Sequence, residues 1–119
     1  MTQLLIIPGQ LPGLNDFAGK KTRWTYAGLK NVAQASVLAA IRRGRLKPMP
    51  HALVYCHWIE PNARRDPDNI CVGLKFILDT LVATHIIPGD GWSEILSIAH
   101  QFSVDKAHPR IEITLETKQ

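Results

Sequence analysis

The sequence predicts an α+β domain in which helices pack on a mixed sheet. Four short segments are rich in β-forming residues or alternate in polarity, and two longer stretches place apolar residues at helical spacing. The resulting order, β-α-β-α-β-β, is typical of two helices layered on one sheet. A chain of 119 residues with 45% hydrophobic content can bury one modest core, so we expect a single domain over residues 1–119.

The first half of the chain is predicted to hold two strands and one helix. Residues 2–7 are largely apolar and stop at a Pro-Gly pair, which predicts a short buried strand. Residues 27–42 repeat apolar side chains at helical spacing and end in Arg42-Arg43-Gly44, a common helix C-terminus. Residues 52–60 are rich in β-formers and predict a strand buried on at least one face.

The second half is predicted to hold one helix and two closing strands. Pro67 suits the first position of a helix over residues 67–84, because its missing N–H has no helical partner there, and this makes Asp66 the N-cap. Strands are expected over residues 94–104 and 110–117, and the second of these alternates apolar and polar side chains.

Several classes of protein are disfavoured by what the sequence lacks. No apolar run approaches the roughly 20 residues that span a bilayer. The N-terminus has no basic start or small-residue cleavage site, and two cysteines are too few for a disulfide scaffold. No phosphate-binding G-x-x-x-x-G-K-[ST] motif is present. We therefore expect a cytoplasmic protein with no membrane segment and no nucleotide cofactor.

Charge is divided unevenly along the chain. Residues 1–65 hold ten basic against two acidic residues, a net charge of +8. Residues 66–119 hold four basic against eight acidic residues, a net charge of −4. A basic segment that leads into an acidic cluster favours a polyanion-binding surface beside a metal site. Charge alone favours the alternative, a solvated charged face, and the adjacent aspartate cluster reverses that preference.

The most informative stretch is Arg64-Arg65-Asp66-Pro67-Asp68-Asn69. Two carboxylates at this spacing are ligands for a hard cation such as Mg²⁺, and adjacent guanidinium groups match phosphate oxygens. A phosphodiester nuclease needs both in one place. The alternative is that Asp66 and Asp68 only cap the helix, although one carboxylate suffices for a cap.

Two further residues are candidates for the same site. Lys75 falls on the helix face that also holds Asp68, where it could reach a phosphate, and the alternative is an i,i+4 ion pair with Asp79. Asp90 lies between two glycines in the loop before the next strand, where simple turn chemistry is the alternative.

These segments resemble the RusA family of Holliday-junction resolvases, small Mg²⁺-dependent endonucleases often found in prophages. The resemblance rests on Arg65 to Asn69, on Lys75 to Leu81 and on Ile87 to Trp92, and it extends over most of the chain. In some members the helix lysine stands where this chain has Val72, and a second acid stands where it has Gly89.

The resemblance implies a homodimer in which Asp66, Asp68 and Asp90 are catalytic acids that bind Mg²⁺, or Mn²⁺ in its place, with Lys75 acting at the phosphate. Branched DNA, a four-way junction, is the implied partner in recombination and repair. The predicted DNA-binding residues are basic: Lys20, Lys21, Arg23, Arg42, Arg43, Arg45, Arg64 and Arg65. The alternatives are a non-catalytic DNA-binding accessory protein and a nuclease for other branched DNA.

Overall fold

The computed structural model describes the backbone of residues 1–17 and 23–119, and the side chains of residues 1–16 and 27–119. Its elements in chain order are β1 (Thr2–Pro8), α1 (Leu14–Phe17), α2 (Arg23–Gly44), β2 (Ala52–Glu60), α3 (Pro67–Cys71), α4 (Leu74–Ala83), β3 (Ile95–Val104) and β4 (Arg110–Glu116). The predicted α+β class is confirmed, and the four predicted strands are found within two residues of their expected bounds.

The four strands form one mixed sheet in the order β1-β4-β2-β3. Strand β4 is antiparallel to both of its neighbours, whereas β2 and β3 are parallel. Parallel strands need a long crossover, which α3 and α4 supply between them. The sheet therefore has an end at which β1 and β2 finish, here called the upper end, and a lower end at which they begin.

The core lies between the sheet and the pair of helices α2 and α4. The alternation predicted for the last strand is confirmed, because Ile111, Ile113 and Leu115 of β4 are fully buried. Val54 of β2 and Ile77 of α4 are equally buried in the same cluster. Burying side chains of this size is worth about 1.5–3 kcal/mol each, so this layer holds the two helices on the sheet. No described helix is both long and apolar enough to cross a membrane.

The helix predicted over residues 67–84 is interrupted, and that part of the prediction is wrong. Helix α3 ends at Cys71 and α4 starts at Leu74. Around the break, the Gly73 N–H donates to the Ile70 carbonyl at 3.1 Å, a three-residue spacing tighter than that of an α-helix. A continuous α-helix would have placed Asp68 and Lys75 on one face, and the tighter turn between them changes that angular relation.

Gly73 is the residue that allows this break to pack closely. A Cβ atom at this position would lie 3.2 Å from the Leu11 Cβ and 3.3 Å from the Trp58 Cζ3. We expect Gly73→Ala to lower the free energy of unfolding by about 1–3 kcal/mol, because these well-packed neighbours must move. Urea denaturation measures the change.

Gly28→Ala is the matched control for that substitution. A Cβ at Gly28, which lies in α2, has no neighbour within 4 Å among the side chains and backbone that the structure describes. Alanine should stabilise the protein there by about 0.4–1 kcal/mol, because it restricts the unfolded chain without strain. Equal effects at the two glycines would show that helix propensity, and not packing at Gly73, governs the result.

Candidate functional site

Asp66 and Asp68 lie on the turn that leaves the upper end of β2 and enters α3. Both side chains are exposed. Asp66 occupies the N-cap position in an extended conformation, with φ −72° and ψ 154°, but its side chain makes no capping hydrogen bond. Asp68 Oδ1 accepts a hydrogen bond from the Asn69 N–H at 2.9 Å. The carboxylate of Asp66 is therefore not used as a helix cap, although its position in the chain is that of one.

A buried ion pair supports the turn from below. Glu60, the last residue of β2, is buried and accepts two hydrogen bonds from Arg65, from Nε to Oε1 at 2.9 Å and from Nη2 to Oε2 at 3.0 Å. Gln10 donates to the same Oε1 at 2.8 Å. Arg65 also donates from Nη1 to the Leu11 carbonyl at 2.9 Å. The paired geometry fixes the chain immediately before Asp66.

This arrangement changes the interpretation of the two adjacent arginines. Arg65 was predicted to bind DNA, yet its guanidinium is half-buried and directed to Glu60 and Leu11. Arg64 is exposed, and its backbone N–H donates to Asn62 Oδ1 at 3.0 Å. Of the pair, Arg64 is the residue whose side chain is accessible to a phosphate.

Asn69 joins the turn to the N-terminal loop. Its side chain is buried, and its Oδ1 accepts a hydrogen bond from the Asn15 N–H at 2.8 Å. The loop approaches so closely that a Cβ at Gly13 would lie 2.6 Å from Asn69 Oδ1 and 2.9 Å from Arg65 Nη1. Glycine is therefore required at position 13, and the loop and the acidic turn form one packed unit.

A further acid at the upper end is already neutralised. Asp105, in the turn after β3, accepts a hydrogen bond from the His108 N–H and is paired with Arg110 at 3.2 Å. The His108 N–H and then the Arg110 guanidinium hold the pKa of Asp105 below its usual value. Asp105 is thus paired within its own turn, whereas Asp66 and Asp68 form no ion pair with another described residue.

Lys75 forms the ion pair that was the alternative to a catalytic role. Its Nζ lies 3.5 Å from Asp79 Oδ2, one helical turn along α4. The lysine side chain is 70% exposed, so the pair is worth only about 0.3–0.5 kcal/mol and leaves the ammonium accessible.

Asp90 lies at the opposite end of the sheet from Asp66 and Asp68. Its loop precedes β3, and the Ala52 N–H at the start of β2 donates to the Glu94 carbonyl at 2.7 Å. The acidic turn follows Glu60 at the far end of β2. Eight residue steps along that strand are about 26 Å. The structure therefore brings Asp66 and Asp68 together but does not bring Asp90 to them within one chain, and the described residues contain no group of three or more potential metal ligands.

The predicted DNA-binding residues are also divided between the two ends. Arg42 and Arg43 end α2 near the lower end, followed by Arg45, and all three side chains are exposed. The chain is fixed there by the Lys47 N–H, which donates to Gln3 Oε1 at 2.7 Å. Arg64 lies at the upper end. Lys20, Lys21 and the side chain of Arg23 lie outside the described residues.

Strand β3 forms an edge of the sheet that the sequence did not reveal. It is ten residues long, has no charged side chain, and pairs only with β2 in the described part of the chain. Ile98, Phe102 and Val104 are exposed along it on the helix side of the sheet, beyond the cover of α2 and α4. A long, uncharged edge with exposed apolar side chains is a template for pairing with another strand.

The two cysteines are poor candidates for metal binding or nucleophilic chemistry. Burial raises the pKa of the Cys56 thiol to about 12, with a smaller contribution from Cys71. Burial and then the nearby Asp68 carboxylate raise the pKa of Cys71. Both thiols therefore stay protonated at neutral pH, and a protonated thiol neither attacks nor ligates.

No protein-family model matches this chain, and no curated protein matches it either. The described residues combine two exposed carboxylates on a supported turn, an accessible arginine beside them, and a strand edge that no other described strand covers.

The Glu60–Arg65 pair gives a direct test of the support beneath the acidic turn. We expect Arg65→Ala to lower the free energy of unfolding by about 3 kcal/mol or more, because it leaves the Glu60 carboxylate buried without its partner. Arg64→Ala, one residue away and exposed, should change it by less than about 0.5 kcal/mol. Thermal denaturation of the two variants measures both changes in stability. Equal losses would mean that the buried Glu60 carboxylate does not need Arg65 as its partner.

Proposed function

We propose that this protein is a metal-dependent endonuclease of the RusA type that cleaves branched DNA as a homodimer. The observation that best supports the proposal is the state of the Asp66–Asp68 turn. Its two carboxylates are exposed, the Asp66 side chain does not cap the helix, and a buried ion pair holds the backbone beneath them. Within the described residues Asp66 caps nothing and Asp68 accepts one hydrogen bond, from the Asn69 N–H, so most oxygens of this solvent-facing pair are available to a ligand. This favours a role in binding.

The acid pair fits a magnesium ion. Mg²⁺ is usually held by one or two carboxylates, with waters and substrate phosphate oxygens completing its shell. Asp66 and Asp68 would hold the ion, and Mn²⁺ suits the same oxygen ligands. When bound, the metal would supply a water of lowered pKa and charge stabilisation at the phosphate. Arg64 would bind the DNA backbone beside the acids, and Lys75 could assist only after leaving Asp79.

A second copy of the chain could supply the Asp90 that is too far from Asp66 and Asp68 within one chain. Two β3 edges related by a two-fold axis pair antiparallel, so the lower end of one chain lies beside the upper end of the other. The partner's Asp90 would then approach Asp66 and Asp68. The pairing would also place the exposed apolar rows of the two β3 strands side by side. Each dimer would hold two such sites, which suits paired cuts across a four-way junction.

The same dimer would gather the basic residues into a continuous DNA surface. Arg42, Arg43 and Arg45 of one chain would lie on the same side as Arg64 of the partner subunit. Contacts of this kind go to phosphates, so they confer affinity that falls steeply with salt and little sequence selectivity. Junction shape would supply the selectivity, and recombination and repair of DNA in the cytoplasm is the proposed setting.

A labelled four-way junction tests the proposal directly. With Mg²⁺ the wild-type protein should make paired nicks near the branch, and with EDTA it should make none. Asp68→Asn should reduce cleavage by roughly 100-fold or more, because a ligand for the charge-stabilising ion is lost. The matched control is Asp105→Asn, which removes an acid at the same end of the sheet that is already paired with Arg110 and should retain cleavage.

The contradicting results are distinct. Junction binding without cleavage in either metal condition would leave a structure-selective DNA-binding protein. Metal-dependent cleavage of flaps or single strands, but not of junctions, would support the proposed metal site and contradict the proposed substrate.

Mixed dimers test whether Asp90 acts on the partner's acids. Asp68→Asn and Asp90→Asn homodimers should both be inactive. When the two proteins are unfolded together and refolded, half of the dimers should be mixed, and each mixed dimer has one site with all three acids intact. We therefore expect recovered cleavage, limited to single nicks, in an electrophoretic assay. If the three acids acted within one chain, every site in the mixture would lack one acid and no activity would return.

A further inference from the structure

Trp92 is the most exposed large hydrophobic side chain of the described residues, with 98% of its surface accessible. It lies two residues after Asp90. Trp58, by contrast, is fully buried in the core. An indole that packs on nothing loses the stabilisation that burial of so large a ring would give, about 25 cal/mol for each Å². Its position therefore needs an explanation other than packing within the described chain.

The loop that presents Trp92 is held in place. The Gly91 N–H donates to Glu94 Oε1 at 3.1 Å, the Ile95 N–H donates to the Gly91 carbonyl at 2.9 Å, and the Ser93 hydroxyl donates to Glu94 Oε2. A Cβ at Gly89 would lie 2.9 Å from the same Glu94 Oε1. Because the carboxylate of Glu94 closes the loop on itself, the backbone on either side of Trp92 is held while the ring is exposed to solvent.

A shallow cavity of about 370 Å³ adjoins the ring. Asp90 lies at this cavity, and apolar side chains from the start of β3, Ile95, Leu96 and Ile98, line the rest. These features suit a nucleotide. Its uncharged base would lie against the flat ring and the apolar wall, and its phosphate would reach the metal proposed at Asp90. The cations Arg42, Arg43 and Arg45 lie towards the same end of the sheet.

We propose that Trp92 stacks on a nucleobase next to the scissile phosphate and so makes the enzyme prefer DNA whose bases are unstacked at a branch. This rests on the proposed function, because it places Trp92 at the nuclease site through Asp90. Bases within a duplex are covered by their neighbours, whereas a base at a branch can offer its face. Strand pairing of β3 would begin at Ile95, which leaves Trp92 beyond the paired strands and free to contact DNA.

The test measures junction binding by full-length protein in the Asp68→Asn background, where the DNA stays intact. Trp92→Ala should weaken binding to a synthetic four-way junction roughly 5- to 150-fold, the range seen when base stacking on an aromatic ring is removed. Trp92→Phe should retain most of the affinity, and Trp92→Leu, which is apolar but has no aromatic face, should not. Binding to a linear duplex of the same sequence should change little.

A second arm removes the base instead of the ring. Junctions with an abasic nucleotide at each branch position in turn should bind the Asp68→Asn protein more weakly at one position. At that position Trp92→Ala should have no further effect, because the two changes remove the same contact.

The outcomes separate this inference from the proposed function. Wild-type cleavage of the junction, with junction binding unaltered by Trp92→Ala, would overturn the role of Trp92 alone. Loss of binding by Trp92→Ala that is restored by leucine, with dissociation of the dimer in sedimentation, would assign the ring to packing between copies and overturn it as well. A wild-type protein that neither binds nor cuts the junction would overturn both proposals.

Discussion

The ion pair between Glu60 and Arg65 is the constraint on which the upper end of the molecule depends. A carboxylate at the end of a buried strand is costly to desolvate unless its oxygens are matched by donors. Arg65 supplies two of these donors and Gln10 a third, which brings the N-terminal loop onto the turn. This contact closes the turn between Glu60 and Arg65. It therefore also holds the backbone that leads into the two aspartates.

The direction of β3 determines what the rest of the fold can do. Because β3 runs parallel to β2, the loop before it must lie at the end of the sheet where β2 starts. Asp90 and Trp92 belong to that loop, and Asp66 and Asp68 belong to the other end. The strand order β1-β4-β2-β3 also leaves β3 at an edge, partly outside the cover of the helices. The direction of β3 thus separates the acids, and its edge position provides the surface that a second chain could use to reunite them.

Patterns among neighbouring residues predicted most strands and helices well. Features that depend on contacts between residues distant in the chain could not be predicted in this way. The alternation in β4 and the helix start at Pro67 depend on neighbouring residues and are readable directly. The role of Arg65 cannot be read from its neighbours in the sequence. Its position beside two aspartates suggests a DNA contact, and only the fold brings Glu60 and Leu11 to it. The break at Gly73 had one local signal, because glycine is a poor helix former, but the close packing of Leu11 and Trp58 on it involves other segments and gave none. The separation of Asp90 required strand order, which no local pattern specifies.

The distance between the two ends of β2 has a consequence for when such a protein could act. A chain that folds alone has Asp66 and Asp68 at one end and Asp90 at the other, so folding by itself does not gather these acids. Under the proposed assembly, cutting would require encounter between two chains. Activity would then rise with the square of protein concentration wherever most chains are monomeric, so the protein would be self-limiting at low abundance.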